Sequence, residues 1–397
     1  MGASAPALST QALRTSPRYD LVLYDRLEGH EREALAELTA QPAFYGILRR
    51  RAALPGDAQA QSLRAVDRET ALLLLTLREP GPLPSYVRDA DPSCDGIRRL
   101  VLDGFVEVDA AGSFVSGPEA AAVLWPAPVR AIDGASRLGR LSRDAIAYGA
   151  ALEIDDRSAM AMRLYGYNRL PLSAAHAAKF PDAAAVLDAL APASRLREQR
   201  WSVTTAKGSH WINFGRATER RTAARRSPDQ ASYKLYVSPL PSALSDAFQA
   251  LQDALIAFGV RHFKVAGTAA GLLRPDKLVA YFDSRDTLLA VADALTRRLH
   301  GLPAQGVPFT AAIDAEGLLS WGVDPPTDAR PLSWQPQQSW RSWITSTLAG
   351  ALLDGRQHPV PISPAEFAVQ RLSLEGVDVD RWAPAQTLWR DAALVRG

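Results

Sequence analysis

Four kinds of side chain able to hold an anion or move a proton converge on one stretch of this sequence. Tyr233-Lys-Leu-Tyr-Val-Ser238 alternates as a strand does, so Lys234 and Tyr236 point one way while Leu235 and Val237 point the other. His262-Phe-Lys-Val-Ala266 repeats the pattern, with His262 and Lys264 on one face and Phe263 and Val265 opposite. Arg274 and Lys277 flank Pro275-Asp276, just ahead of a third apolar strand containing Tyr281. Cations crowded onto one sheet face repel one another unless water or a bound anion relieves them. In one reading the face is solvated, and Asp276, Asp283 or Asp286 neutralises the cations in surface pairs of little energetic weight. In the other it is a phosphate pocket. There Arg supplies paired hydrogen bonds, and Lys acts as a point charge, or as a base once neighbouring cations lower its pKa.

Other chemistries lack their residues. The single Cys94 excludes an intramolecular disulfide and a cysteine-rich metal site, and its acidic Asp-Pro-Ser-Cys-Asp-Gly setting disfavours a thiolate. The six histidines show no HxxH, HExxH or HxH spacing, so no metal is expected. No GxxxxGK(S/T), GxGxxG after a strand, GxSxG elbow or kinase HRD and DFG set occurs, and Gly267-Thr-Ala-Ala-Gly271 is too weak to be a phosphate loop. A chemistry using only lysine, arginine and phenol, with no cofactor, fits what remains. The net charge of +2 argues against a surface built wholly for nucleic acid or membrane. No secretory pattern or membrane-length apolar run is present, so a cytoplasmic protein is expected.

With 397 residues, 47% of them hydrophobic, the chain has material for more than one core. Residues 1–18 read as a disordered lead-in. Over 19–130, one or two helices are expected between Glu31 and Arg50, then a helix capped by Asp67 and stopped at Glu79-Pro-Gly-Pro82. A second helix from Asp95 ends at Gly104, and a hairpin about Ala110-Ala-Gly112 follows, the outline of a winged helix. Residues 131–230 read as helices, with a mobile basic loop carrying Arg216, Arg220, Arg221, Arg225 and Arg226. From 231 to 397 the order β-α-β-β-α-β-β predicts an α+β domain of the ferredoxin-like, split βαβ kind with a Trp-rich helical tail. Trp211 to Phe214 and the tail tryptophans are expected in the core, and Gly322 and Pro325-Pro326 in turns.

Tyr233-Lys-Leu-Tyr-Val-Ser-Pro239, Phe263-Lys264 and Leu273-Arg-Pro-Asp-Lys-Leu-Val-Ala-Tyr281 resemble the Hrp outer protein A effector family, as does the upstream Leu164-Tyr-Gly-Tyr-Asn-Arg169. Members of that family occur as lyases in class V lanthipeptide and thioamitide biosynthesis. The resemblance spans roughly residues 140–325 and extends more remotely to phosphothreonine lyases. It implies elimination of phosphate from phosphoserine or phosphothreonine in a ribosomally made precursor peptide. Lys264 would be the base, with Arg274 holding phosphate and Tyr281 near the pocket; Lys234 and Lys277, from the same cation cluster, would join Arg274 in holding the departing phosphate. Tyr236 stands where the phosphothreonine lyases have an acidic histidine, so Tyr236 or His262 would serve as acid, or phosphate would leave unaided. A separate kinase would supply the phosphopeptide, and a cyclase could follow.

Residues 67–108 resemble the winged-helix element with which peptide-modifying enzymes bind a leader as an added strand. Its second helix sets Arg98 and Arg99 against Asp95 and Asp103, poor coverage for DNA phosphates. Two other readings stay open: a non-catalytic peptide-binding scaffold or effector-like interaction protein in a peptide-modification complex, and a winged-helix regulator.

Overall fold

The computed structural model describes residues 8–34, 44–51, 64–125, 136–191, 196, 198–205, 209–216, 233–325, 338–357 and 362–385. The fold mixes helices and strands, and the chain divides into two compact units.

The first unit comprises residues 1–131, 328–337 and 350–374. In chain order it contains β1 (Ala12–Thr15), β2 (Tyr19–Leu23), α1 (Gly29–Ala34), β3 (Phe44–Arg50), β4 (Arg64–Asp67), α2 (Arg68–Thr76), β5 (Gly81–Pro82), α3 (Ser85–Ala90), α4 (Asp95–Leu102), β6 (Val106–Ala110) and β7 (Ser113–Val115). Asp67 caps α2 by accepting from the Thr70 amide at 2.7 Å, and Gly104 follows α4 at a φ of 79°. The antiparallel β6–β7 hairpin pairs Val108 with Val115. Two expectations need correcting. The disorder expected over residues 1–18 does not extend to β1, because Leu13 is fully buried and pairs with Val108 and Gly81. The stretch Glu31–Arg50 is not wholly helical: after α1, β3 runs between β2 and β4, where a strand satisfies the backbone while burying Ile47 and Leu48.

The second unit comprises residues 132–327, 338–349 and 375–397. It opens with α5 (Arg137–Ala151), α6 (Arg157–Tyr165), α7 (Ala174–Lys179) and α8 (Ala183–Leu190). Then come β8 (Trp201–Thr204), β9 (Trp211–Arg216), β10 (Tyr233–Val237), α9 (Leu244–Ala257), β11 (His262–Ala266), α10 (Ala269–Leu272), β12 (Leu278–Phe282), α11 (Arg285–Arg298), β13 (Ala311–Ala312), β14 (Leu319–Val323) and the part of α12 (Trp340–Gln357) up to Ala349. The strands form one antiparallel sheet in the order β13-β14-β10-β12-β11-β9-β8. The α9 crossover from β10 to β11 skips β12, and the connection from β12 through α11 to β14 skips β10. Segment 131–230 is therefore not only helical, since it lends β8 and β9 to this sheet. Of its basic loop, residues 217–232 lie outside the described residues.

The two sheet faces differ chemically. Leu235, Val237, Phe263, Val265, Leu278 and Ala280 pack with Phe248 and Leu251 of α9 and Leu288 and Leu295 of α11. Each of the leucine, valine and phenylalanine side chains fully buried this way contributes about 1.5–3 kcal/mol. On the other face Tyr236 and Val279 pack with Val307 of the connection before β13. Asn168 Nδ2 donates to the Gln305 and Gly306 carbonyls at 2.9 Å each, and Ser142 Oγ accepts from the Phe309 amide at 2.7 Å. Gly322 is no turn residue: it sits within β14, where a Cβ would come 2.7 Å from the Trp340 ring. The close approach of that indole is what glycine permits.

Candidate active site

Strand register brings the expected residues onto one face. Lys234 of β10 lies opposite Tyr281 of β12, which lies opposite His262 of β11. One step along, Tyr236 lies opposite Val279, Val279 opposite Lys264, and Lys264 opposite Asn213 of β9. Strands sit about 4.8 Å apart, so β10 and β11 backbones are roughly 10 Å apart across β12. Long side chains from either strand meet over Tyr281. The ammonium of Lys234 lies 5.7 Å from that ring's centroid and the ammonium of Lys264 lies 5.5 Å from it.

The cations are not equivalent. Lys234 is buried and donates to both carboxylate oxygens of Asp324 at 2.6 Å. Asp324 in turn accepts from the Trp340 amide, in the first turn of α12, at 3.0 Å. Arg274 donates through Nε and Nη2 to the two oxygens of Asp276, at 2.9 Å each. Of its five N–H groups, those on Nη1 keep no partner among the described residues. Lys264 is half-buried and has neither a carboxylate nor a hydrogen-bond partner among the described residues. Its ammonium instead lies 4.1 Å from the centroid of the Trp211 ring. Burial, and then the charge of Lys234, push Lys264 down to about 8, close enough to neutrality for a general base.

Asp276 is not the surface counter-ion of the plainer sequence reading. It is 3% exposed and shared among Arg274, Arg341 and the hydroxyl of Tyr165, which donates to it at 2.9 Å. Burial alone would raise this carboxyl, but Arg341 and Arg274 hold it well below the usual carboxylate range. Arg341 is itself 1% exposed and donates through Nη2 to the Tyr165 carbonyl at 2.8 Å. Burial, reinforced by Asp276, raises the Tyr165 phenol to about 12. Tyr236 is buried and raised well above its ordinary value, first by burial and then by Tyr165, so its proton is retained across the accessible pH range.

The structure separates two of the expected residues from this cluster. Lys277 is fully buried, and its ammonium is turned onto the Pro239 carbonyl at 2.7 Å and onto Gln305 Oε1. Gln305 in turn donates to the Asn168 and Leu273 carbonyls. An amine enclosed this way does not reach a phosphate, so the role expected for Lys277 is corrected. His262 shares the face but is exposed at the start of β11, a row away from Lys264. Trp211, expected in the core, is half-buried and packs against it, and its ring also lies 4.1 Å from the Lys264 ammonium and 5.2 Å from the Arg274 guanidinium.

Trp211, Asp276, Asp324, Tyr165 and Arg341 entered no sequence-based list of the site. One signal was available. The chain has only five lysines (179, 207, 234, 264 and 277) against 40 arginines, and three of the five fall in this region. Lys and Arg are not interchangeable, so this concentration of lysine in an arginine-rich chain was the signal to follow. Among the described residues no group of His, Cys, Asp and Glu is arranged to hold a metal ion, and no helix is long and apolar enough to cross a membrane.

No protein-family model matches the chain, and no curated protein matches it. Solved structures similar to it include the effector protein from Pseudomonas syringae pv. tomato strain DC3000, at 15% identity and a TM-score of 0.40, covering 63% of this chain and 99% of that one. The effector protein from Pseudomonas syringae pv. syringae strain 61 matches at 12% identity and a TM-score of 0.39, over 63% of this chain and 97% of the other. The type III effector/phosphothreonine lyase OspF from Shigella flexneri matches at 14% identity and a TM-score of 0.26, over 31% and 69%. Likenesses at this level leave the activity to be argued from the site.

Proposed function

We propose that the second unit is a lyase that eliminates phosphate from phosphoserine or phosphothreonine in a ribosomally made precursor peptide. The observation that carries this reading is Lys264, a half-buried amine without a carboxylate partner, set over Trp211 and Tyr281 beside two cations. As the free amine it takes the Cα proton. The electron pair forms the Cα=Cβ bond, the Cβ–O bond breaks, and phosphate leaves, giving dehydroalanine or dehydrobutyrine. Lys234 and the free Nη1 of Arg274 offset the charge that develops on the departing group. The Tyr236 phenol, on the same face, is the candidate donor to the leaving oxygen, although its burial makes it a weaker acid than an exposed tyrosine. The first unit would dock the peptide's leader along the sheet of its β6–β7 hairpin. A separate kinase would furnish the phosphopeptide, and the work would be done in the cytoplasm.

The test is mass spectrometry of a phosphoserine and phosphothreonine peptide incubated with the protein and with Lys264→Ala. Loss of phosphoric acid with the parent protein alone supports the lyase and the role of Lys264. Binding of the cognate leader-bearing phosphopeptide without any such loss would replace it with a scaffold.

A further inference from the structure

A lysine suited to proton abstraction also meets the requirements of a nucleophilic amine, and these are geometric. The amine must be reachable, must not be tied to a carboxylate, and must have room beside it for a planar carbonyl group. Lys264 meets the first two, being half-buried rather than enclosed and lacking an acidic partner among the described residues, and its ammonium lies 4.1 Å from the Trp211 ring centroid and 5.5 Å from that of Tyr281. Those rings offer apolar walls against which a flat aromatic ligand stacks. Lys234 shares the Tyr281 ring, and Arg274 shares the Trp211 ring, so cationic groups border the same space on both sides.

We propose that Lys264 forms an imine with phosphorylated aromatic aldehydes, the pyridoxal 5′-phosphate class, whose phosphate is held by Lys234 and Arg274. The neutral Nζ attacks the carbonyl carbon to give a carbinolamine. Loss of that hydroxyl as water, with a proton from solvent, leaves the C=N bond. No oxidant or reductant is consumed, and hydrolysis reverses the step. The inference goes beyond phosphate elimination and does not depend on it, because no Cα proton has to be taken and no leaving group departs.

Three of the other four lysines are internal controls. Lys277 is fully enclosed against Pro239 and Gln305, and Lys234 is clamped by Asp324. Lys179 is exposed on α7, so it serves as the solvent-accessible comparison. At pH 7.5 an amine titrating near 8 is about one quarter neutral, against about one part in a thousand for an ordinary lysine. The lower basicity makes it a weaker nucleophile, so a net preference of roughly tenfold to a hundredfold for Lys264 is expected.

The experiment treats the full chain with pyridoxal 5′-phosphate at limiting concentration, traps imines with borohydride, and maps labelled lysines by peptide mass spectrometry. Lys264 is expected to carry most of the label. Inorganic phosphate should compete, pyridoxal without its phosphate should label poorly, and Lys264→Arg should remove the label while leaving the circular dichroism spectrum unchanged. Lys234→Met and Arg274→Gln should each weaken it. Label spread evenly over Lys179 and Lys264 would overturn the proposal, as would equal labelling by pyridoxal and its phosphate. Selective labelling without phosphopeptide turnover would keep it and remove only the lyase. Turnover without selective labelling would do the reverse.

Discussion

Lys234 and Asp324 form one salt bridge, yet their replacement should move the Lys264 titration in opposite directions. Lys234 lowers the Lys264 pKa by charge repulsion, and Asp324 raises it. In Lys234→Met the repelling cation is gone and Asp324 is left uncompensated, so both changes push Lys264 upward. The two ammonium groups lie over one ring, so their separation is at most about 11 Å, and at an effective dielectric of ~20 their repulsion is about 1.5 kcal/mol or more. That is about one pKa unit. In the proposed mechanism the reacting form is the neutral amine, so kcat/KM should rise tenfold per pH unit below the pKa and level above it. The acidic limb, placed near pH 8 in the parent protein, should move to about pH 9 in Lys234→Met, with about a tenfold loss at pH 7 that recovers in alkali. Asp324→Asn keeps an acceptor for the Trp340 amide while removing the negative charge, so its limb should move below pH 8. The assay is initial phosphate release against pH, read from the position of the limb and not from its height, since Lys234 also binds phosphate in the proposed mechanism. If the limb stays in place in Lys234→Met, or if both variants move it the same way, Lys264 is not the titrating base.

Asp276→Asn leaves Arg341 and Arg274 without their shared counter-charge, and should destabilise the protein by about 3–5 kcal/mol in denaturant unfolding. Because the Asp276 pKa is depressed in the fold, its stabilisation is present above the unfolded carboxylate range and lost as pH falls from about 4. The Asn variant should therefore show a flatter acid limb of stability. Gly322→Ala should cost about 1–3 kcal/mol through its contact with Trp340, visible as a lowered Tm, and a neutral result would refute the close approach. Tyr236→Phe should lower kcat by about 10²-fold or more with little change in KM if the phenol donates to the leaving oxygen, and unchanged kcat would shift that role elsewhere.

Much of this was local information, and local information was legible. The alternation in Tyr233–Val237 and His262–Ala266 put Lys234 with Tyr236 and His262 with Lys264, and the register keeps those pairings. Leu244, Phe248, Leu251 and Leu255 recur at helical spacing, and all four are buried against the sheet. Asp67 and Ser284 cap the helices they precede, because a short polar side chain answers an amide only three residues on. Strand alternation also says that two faces differ, but not which strands will be neighbours or what will cover either face. That β9 lies beside β11, and so places Trp211 over Lys264, follows from sheet order. That Lys277 is enclosed depends on Gln305, and that Asp276 is a buried hub depends on Tyr165 and Arg341, which are distant in sequence. The sequence by itself determined which side chains could carry phosphate chemistry and which way each would point along its strand. Only the tertiary structure decided which cation keeps no counter-ion, because burial and charge pairing are set by segments that meet only when the chain is folded.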